Sequence, residues 1–366
     1  MFKKLLLITA CTTLLNGCQS WYGPSALNET HPAYNQAMVN SLSQEMLLNL
    51  VRLKYRDRPY FLSINTVTAS MSLKSSLGLR SSSSIDGASS VAPDIGVTFS
   101  QSPTISYAPL SGEDFLKSIL SPLPIESVLV MAQSGWRIER IFGLCLEMIN
   151  DVPNAPSASG PTPKEEPRYK TFQSLVKSFD YLQSQHLIEM GINPISGKEI
   201  EIHFLPTQDA RAALEIQNLR QLLQLQDSNI YKLSNNFLAN NYSQLPEKNK
   251  LLSMRLRSIY SMLYYLSQNV AVPVAHQQQG LVTLTKTHAG ADFQWANTPA
   301  GQLFQIQYSD SKPDNAYLSV YYRDTWFYIA DNDLQSKSTF MLLTQLFNLQ
   351  AGQSKATNPT LTIPVR

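Results

Sequence analysis

Hydrophobic positions change period several times along this chain, and each change marks an element. From about Tyr34 to Tyr55, Met38, Leu42, Met46, Leu50 and Leu53 recur at spacings of four and three, which predicts one amphipathic helix. Arg52, Lys54, Arg56 and Arg58 gather at its end, where positive charge complements the helix dipole, and Pro59 stops it. The period then drops to two. Val67, Ala69, Met71 and Leu73 alternate with Thr66, Thr68, Ser70 and Ser72, and Ile95, Val97 and Phe99 alternate with Gly96, Thr98 and Ser100. A polar, Ser-rich stretch from Arg80 to Gly87 separates the arms, so a long antiparallel hairpin is expected in the N-terminal half.

Helical spacing returns at Glu113–Leu120, Ile125–Met131 and Trp136–Ile149. Residues 151–167 then carry Pro153, Pro156, Pro161, Pro163 and Pro167, the composition of an unstructured connector or surface loop. Beyond it, Phe172, Leu175, Val176, Phe179, Leu182 and Leu187 mark a helix, and Glu199–Phe204 reads as a strand. Residues 209–224 and 251–268 are helical by pattern. The last part is strand-rich, at Phe304/Ile306/Tyr308, Leu318/Val320/Tyr322, Trp326–Ile329 and Leu361/Ile363/Val365, with a helix from about Asp333, its N-cap, to Leu349. The sum is an α+β fold, amphipathic helices packed on antiparallel sheet.

The first residues supply an address. Lys3 and Lys4 precede an apolar run, Leu5–Leu15, too short to cross a bilayer, which is the make-up of a signal peptide. The close of that run, Leu15, Asn16, Gly17 and Cys18, has the form of a lipobox, in which a small residue precedes a cysteine that becomes acylated; Asn16 is the less usual choice in it. Acyl chains on Cys18 would hold the chain to a membrane with no spanning helix. Gln19, rather than Asp, follows Cys18, which points to the periplasmic face of the outer membrane. The expected organisation is therefore a signal peptide over 1–17, a lipid-anchored tether over 18–34, an N-terminal α+β domain over 35–150, a Pro-rich linker or loop over 151–167, and a C-terminal α+β domain over 168–366.

Charge sharpens this picture. The formal net charge is +2 and only 15% of the 366 residues are charged, against roughly 25% in ordinary domains. Processing removes Lys3 and Lys4, the whole excess, and leaves the mature chain balanced. A nucleic-acid binder would carry a strongly basic face, so that class is excluded. Low charge, 17 Tyr and abundant Gln, Asn and Ser suit a protein–protein interface, although Tyr also favours plain strand packing. Cys11 leaves with the signal and Cys18 is acylated, so Cys145 stands alone; its apolar setting (IFGLCLEMI) reads as a buried, inert thiol.

Five stretches carry a resemblance: residues 47–59 (LLNLVRLKYRDRP), Ser134-Gly135-Trp136, Trp326–Ile329, Asp333–Phe340 (DLQSKSTF) and the closing Leu361–Val365. Together they resemble an uncharacterised family of proteobacterial outer-membrane lipoproteins, for which no catalytic residues are carried over. In size and make-up the chain is also similar in kind to accessory lipoproteins of type IV secretion outer-membrane cores.

Residues that could carry catalysis form no complete pattern. The histidines, at 31, 186, 203, 276 and 288, do not pair at metal-ligand spacings, and HExxH, CxxC, G-x-S-x-G and phosphate-loop patterns are missing, so no metal or other cofactor is expected. Ser174 and Lys177 match S-x-x-K formally but lack its companion motifs. Asp331-Asn332-Asp333 reads as a turn and helix cap rather than a calcium loop. Lys337, on the first turn of its helix, opposes the dipole and calls for a partner such as Asp331. The basic end at 52–58 is a solvated helix end or a face for lipid headgroups. In the hairpin, Ser72, Leu73, Ile95, Val97 and Phe99 are the candidate interface.

These features lead us to expect a non-enzymatic lipoprotein whose partners are the outer membrane and other envelope proteins or copies of itself, within a trans-envelope assembly such as a secretion system. A periplasmic enzyme or a carrier of an apolar ligand in envelope metabolism is the alternative. Cys18→Ser is expected to abolish labelling by radioactive palmitate and to move the protein from the membrane to the soluble fraction; retention of label would place the acyl chain elsewhere.

Overall fold

The first helix extends well before its apolar stripe. In a computed structural model, which describes residues 22–83, 89–235, 248–352 and 361–364, helix α1 runs Tyr22–Lys54. The tether expected over 18–34 is thus helical from Tyr22 onward. Pro24 lies in the first turn, where no intrahelical donor is needed, and Pro32 is solvent-exposed and gives up a single ladder bond.

In chain order there follow β1 (Leu62–Ser83), β2 (Ser89–Pro109), α2 (Glu113–Leu120), α3 (Ile125–Gln133), α4 (Ile138–Cys145), β3 (Leu146–Ile149) and β4 (Val152–Pro153). Next come α5 (Lys170–Ser184), β5 (Ile188–Ile192), β6 (Ile200–Phe204), α6 (Ala210–Leu222), β7 (Ile230–Ser234), β8 (Leu251–Leu256), α7 (Ile259–Ser267) and α8 (Val274–Gln278). The chain closes with β9 (Gln307–Ser309), β10 (Ala316–Tyr322), β11 (Thr325–Ala330), α9 (Leu334–Ala351) and β12 (Leu361–Pro364). This is an α+β fold with a long hairpin, β1–β2, in its N-terminal half.

Two expected helices end or begin as strand. The pattern from Trp136 gives way at Leu146, where β3 pairs with β8, and residues 251–256 form that β8 before α7 begins. Both patterns were ambiguous: Leu252, Met254 and Leu256 alternate, yet Leu252, Leu256 and Ile259 also keep helical spacing. Ser258 decides the switch, capping α7 by accepting a hydrogen bond from the Ser261 amide at 3.1 Å.

The chain forms two compact units, and the division is not the expected one. The larger takes Met1–Pro59 and Leu120–Asn348; the smaller takes Tyr60–Ile119 and Leu349–Arg366. The Pro-rich residues 151–167 lie inside the larger unit rather than between domains. Asn154, Ala155, Ala158 and Thr162 are buried, β4 pairs with β3, and the Pro163 carbonyl accepts from Thr285 Oγ1 at 2.6 Å.

The larger unit holds a six-stranded mixed sheet, β4-β3-β8-β7-β6-β5, in which only β7–β8 is parallel. Ile200, Ile202 and Phe204 of β6, Tyr231 and Leu233 of β7, and Leu252, Met254 and Leu256 of β8 are buried, as is the stripe of Phe172, Leu175, Val176, Phe179 and Leu182 on α5. Phe142, Phe179, Phe204 and Tyr231 form an aromatic chain through this core, with successive centroids 5.3, 6.2 and 5.6 Å apart. A second sheet, β10-β11-β9, and α7 pack against α1, whose Leu47, Leu50 and Val51 are fully buried. The predicted cap and ion pair of α9 are both present. The Asp333 side chain accepts from the Ser336 amide at 3.0 Å, and Lys337 Nζ lies 2.7 Å from Asp331 Oδ1.

In the smaller unit, β1, β2 and β12 form an antiparallel sheet in the order β1-β2-β12. Phe61 and Phe115 meet edge to face at 6.0 Å, and Ser118 and Gln350 exchange two side chain–backbone hydrogen bonds of 2.6 and 2.9 Å.

One buried cation joins much of the larger unit. Arg257, 1% exposed, donates from Nη1 to the Leu146 carbonyl at 2.6 Å and from Nη2 to the carbonyls of Asn154 and Ala155. Its guanidinium lies 4.0 Å from the centroid of Tyr265, whose hydroxyl donates to Asn154 Oδ1 at 3.0 Å. Arg257→Met leaves these buried carbonyls without donors, and a loss of about 3–5 kcal/mol in urea unfolding is expected; a loss below about 1 kcal/mol would remove Arg257 from this role.

Candidate functional site

The lipobox residues Leu15, Asn16, Gly17 and Cys18 lie outside the described residues. The hairpin candidates lie in one ladder that is continuous from Leu62↔Pro109 to Ser83↔Ser89 apart from one bulge at Ile64/Thr66. Ser72 is opposite Ser100, Leu73 opposite Phe99, Ser75 opposite Val97 and Leu77 opposite Ile95. Apolar positions therefore meet mainly apolar positions in register, and hydroxyl positions meet hydroxyl positions at Ser70↔Ser102 and Ser72↔Ser100. Strand β12 covers β2 only at its base, from Thr104 to Tyr107. Among the described residues no strand pairs with the outer edge of β1, or with β2 beyond Thr104 toward the tip.

Groups that might do chemistry are mostly occupied by structure. Cys145 is buried, and burial pushes its thiol up to about 12, so it is inert at neutral pH. Ser174 and Lys177 are exposed on α5, and the Ser174 hydroxyl donates back to the Lys170 carbonyl. His203 pairs with Glu201 at 3.0 Å and His288 with Glu166 at 3.2 Å, both near solvent. Among the described residues no three His, Cys, Asp or Glu side chains come together as a metal site would need. Asp151–Pro153, Glu166–Thr171 and His288 line an open cleft of about 590 Å³; the hydrogen bond from His288 leads in holding Glu166 below the usual carboxylate range.

The basic end of α1 is neither a simple solvated end nor a run of free cations. Asp57 accepts hydrogen bonds from the Tyr322 hydroxyl and, at 2.8 Å, from Arg323. Burial opposes its ionisation, but these two donors prevail and hold its carboxyl below the ordinary value. Arg323 and Asp324 both have positive φ, 50° and 59°, making the two-residue turn between β10 and β11 that presents Arg323 to Asp57. Tyr55, pushed up to about 12 by burial, shares a 2.7 Å hydrogen bond with His276 Nδ1.

Lys54 is the unusual member. It is 6% exposed, and its ammonium donates to the Gln268 carbonyl at 3.2 Å. Among the described residues no carboxylate pairs with it, and burial lowers it from 10.5 to about 8. It lines a cleft of about 310 Å³ together with Gln268 and Asn269, which follow α7, and with Thr285, Phe293 and Trp295. Asn269 is 8% exposed, yet neither its Oδ1 nor its Nδ2 has a hydrogen-bond partner; Gln268 Oε1 is likewise unsatisfied. The backbone at Gly301 passes so close that a Cβ there would lie 2.0 Å from the Trp295 carbonyl oxygen and 2.7 Å from Asn269 Oδ1, so only glycine fits beside the amide.

Compared with known protein families, curated proteins and solved structures, the chain matches none. The two candidate sites are accordingly the hairpin edge and the Lys54 cleft. The sequence pattern identified the first. It missed the second, although Lys54 lies four residues after Leu50 and seven after Leu47 on the apolar side of α1, a position where a charge is out of place.

A lysine whose folded value is lowered destabilises the fold while it carries its proton, because the unfolded chain binds that proton more readily. Lys54→Met keeps the stem and removes the charge, and is expected to stabilise the protein by about 3 kcal/mol at pH 7. The advantage should shrink as pH rises from about 8 through 10.5, where wild type sheds the proton in both states. Urea unfolding of both proteins across that window checks the sign; a destabilising Lys54→Met would contradict it.

Proposed function

We propose that this protein is a non-enzymatic outer-membrane lipoprotein, anchored at the periplasmic face through acylated Cys18, that serves as a structural subunit of a trans-envelope assembly such as a secretion system. The outer-membrane lipoproteins its five stretches resemble belong to the same reading. The hairpin is the observation that carries it. Arms of 22 and 21 residues, at about 3.3 Å per residue, reach some 70 Å. That exceeds the roughly 9–11 residues of a membrane strand.

Long, unpaired strand edges are a hazard that natural proteins shorten, bulge or cover. The outer edge of β1 and the edge of β2 beyond Thr104, which no described strand pairs, are suited to the hairpins of neighbouring copies. Edge-to-edge pairing would satisfy the backbone groups around a ring, and a ring closes the edges that a lone hairpin leaves open to lipid. The ranked apolar and hydroxyl positions give such a ring one apolar and one polar face.

Deletion of residues 75–94 removes the outer part of both arms and retains Leu62–Lys74 opposite Thr98–Pro109, with Ile95–Val97 left to form the turn. The shortened protein is expected to keep its circular dichroism in the helical region and to fall to a smaller species in mild-detergent size exclusion, with a leakier envelope. Unchanged oligomer size and envelope integrity would sink the proposal.

A further inference from the structure

The two arms of the hairpin hold three charged residues, Lys74, Arg80 and Asp94, and the ladder puts all three on one face. Lys74 stands opposite Thr98, Gly78 opposite Asp94 and Arg80 opposite Ala92, and positions an even number of residues apart along a strand share a face. From Ser70↔Ser102 to Gly78↔Asp94 that face otherwise holds only Ser, Thr and Gly. The opposite face carries Met71, Leu73, Leu77, Ile95, Val97 and Phe99, is interrupted by Ser75 and Gln101, and has no charge. This apolar band ends where the edge of β2 becomes covered. It runs from Ala69↔Pro103 to Leu79↔Pro93, and β12 pairs with β2 only from Thr104 on. At about 3.3 Å per residue the band measures roughly 33 Å along the strand. A tilt of roughly 35–45° reduces that to about 25 Å, the height of the apolar belt on a transmembrane barrel.

We infer that the assembled hairpins cross the outer membrane as one β-barrel, whose hydroxyl face lines a water-filled channel that prefers small anions. The channel rests on the edge-to-edge ring of the proposed assembly and gives that ring a transport activity. Hydrocarbon accepts the uncharged face and rejects the other, because a charge facing lipid at mid-membrane is costly whereas a charge facing the lumen stays hydrated. Lys74 falls near the middle of the band, so each copy sets one positive charge at the same height around the ring, the arrangement that selects anions. Arg80 and Asp94 are diagonal neighbours at the tip end of the band, and their charges offset each other. Small hydroxyl residues and glycine keep the lumen open and wettable. A ring of about eight copies supplies the roughly 16–18 strands at which a barrel encloses water.

The test is planar-bilayer recording of the full-length acylated protein under a KCl gradient, after purification in the mild detergent that sizes its oligomer. Stepwise conductance is expected, with chloride favoured over potassium at least about threefold. Lys74→Glu should reverse that preference at unchanged oligomer size. Two neighbouring substitutions separate the faces. Thr98→Asp, opposite Lys74, should keep the conductance and lose the anion preference, whereas Val97→Asp should abolish the conductance. An oligomer without conductance, a preference unmoved by Lys74→Glu, or equal conductance in Val97→Asp and Thr98→Asp would overturn the channel and leave the assembly standing. A protein that stays monomeric in that detergent would overturn the assembly and the channel together.

Discussion

A single guanidinium organises the larger unit. Among the described residues no carboxylate pairs with Arg257, and burial lowers its affinity for a proton. It is held instead by backbone carbonyls and by the face of Tyr265. Two of those carbonyls belong to residues 154 and 155, in a stretch where five prolines provide no N–H groups and Ala155 takes a left-handed φ of 45°. Part of the stretch is satisfied by a 3-10 turn over Pro156–Ser159 and by the β3–β4 pairing, and the carbonyls of Asn154 and Ala155 take their donors from Arg257. Arg257 also sits at the junction of β8 and α7, next to Ser258, whose hydroxyl caps α7. The far end of α7 then delivers Gln268 and Asn269 to the Lys54 cleft.

The two buried cations solve opposite problems. Arg257 directs both terminal nitrogens to carbonyls the fold must satisfy, and its removal leaves them without donors. Lys54 makes one bond to the Gln268 carbonyl and meets no carboxylate among the described residues. The first arrangement is what a fold needs. The second weakens the fold, because burial disfavours the charged ammonium.

How far the sequence spoke depended on how local each cause was. The α1 helix, the Asp333 cap, the Lys337–Asp331 pair and the hairpin all follow from neighbours a few residues apart, and all are in the structure, although the α1 stripe is buried only from Met46 on and Leu42 is 39% exposed. The strand at 146–149 was hidden because its apolar spacing continues that of α4, and only pairing with β8 overrides the helix. The Pro-rich stretch read as a linker because its composition lacks donors; its donor comes from Arg257, far along the chain. The Lys54 cleft was invisible for the same reason, since its walls come from distant segments. Lys54 alone left a local trace, a charge on an apolar face.

The hairpin belongs to the smaller unit, and the edges that no described strand pairs, the outer edge of β1 and β2 beyond Thr104, are the central claim. Hydrogen exchange along β1, measured in outer-membrane preparations and in protein dispersed to monomers, tests it most directly. In a lone hairpin the amides on the outer edge of β1 exchange freely, while those facing β2 are protected. Pairing with a neighbouring copy predicts that protection spreads to the outer amides in the membrane and is lost on dispersal. Equal, rapid exchange of those outer amides in both preparations would contradict the account.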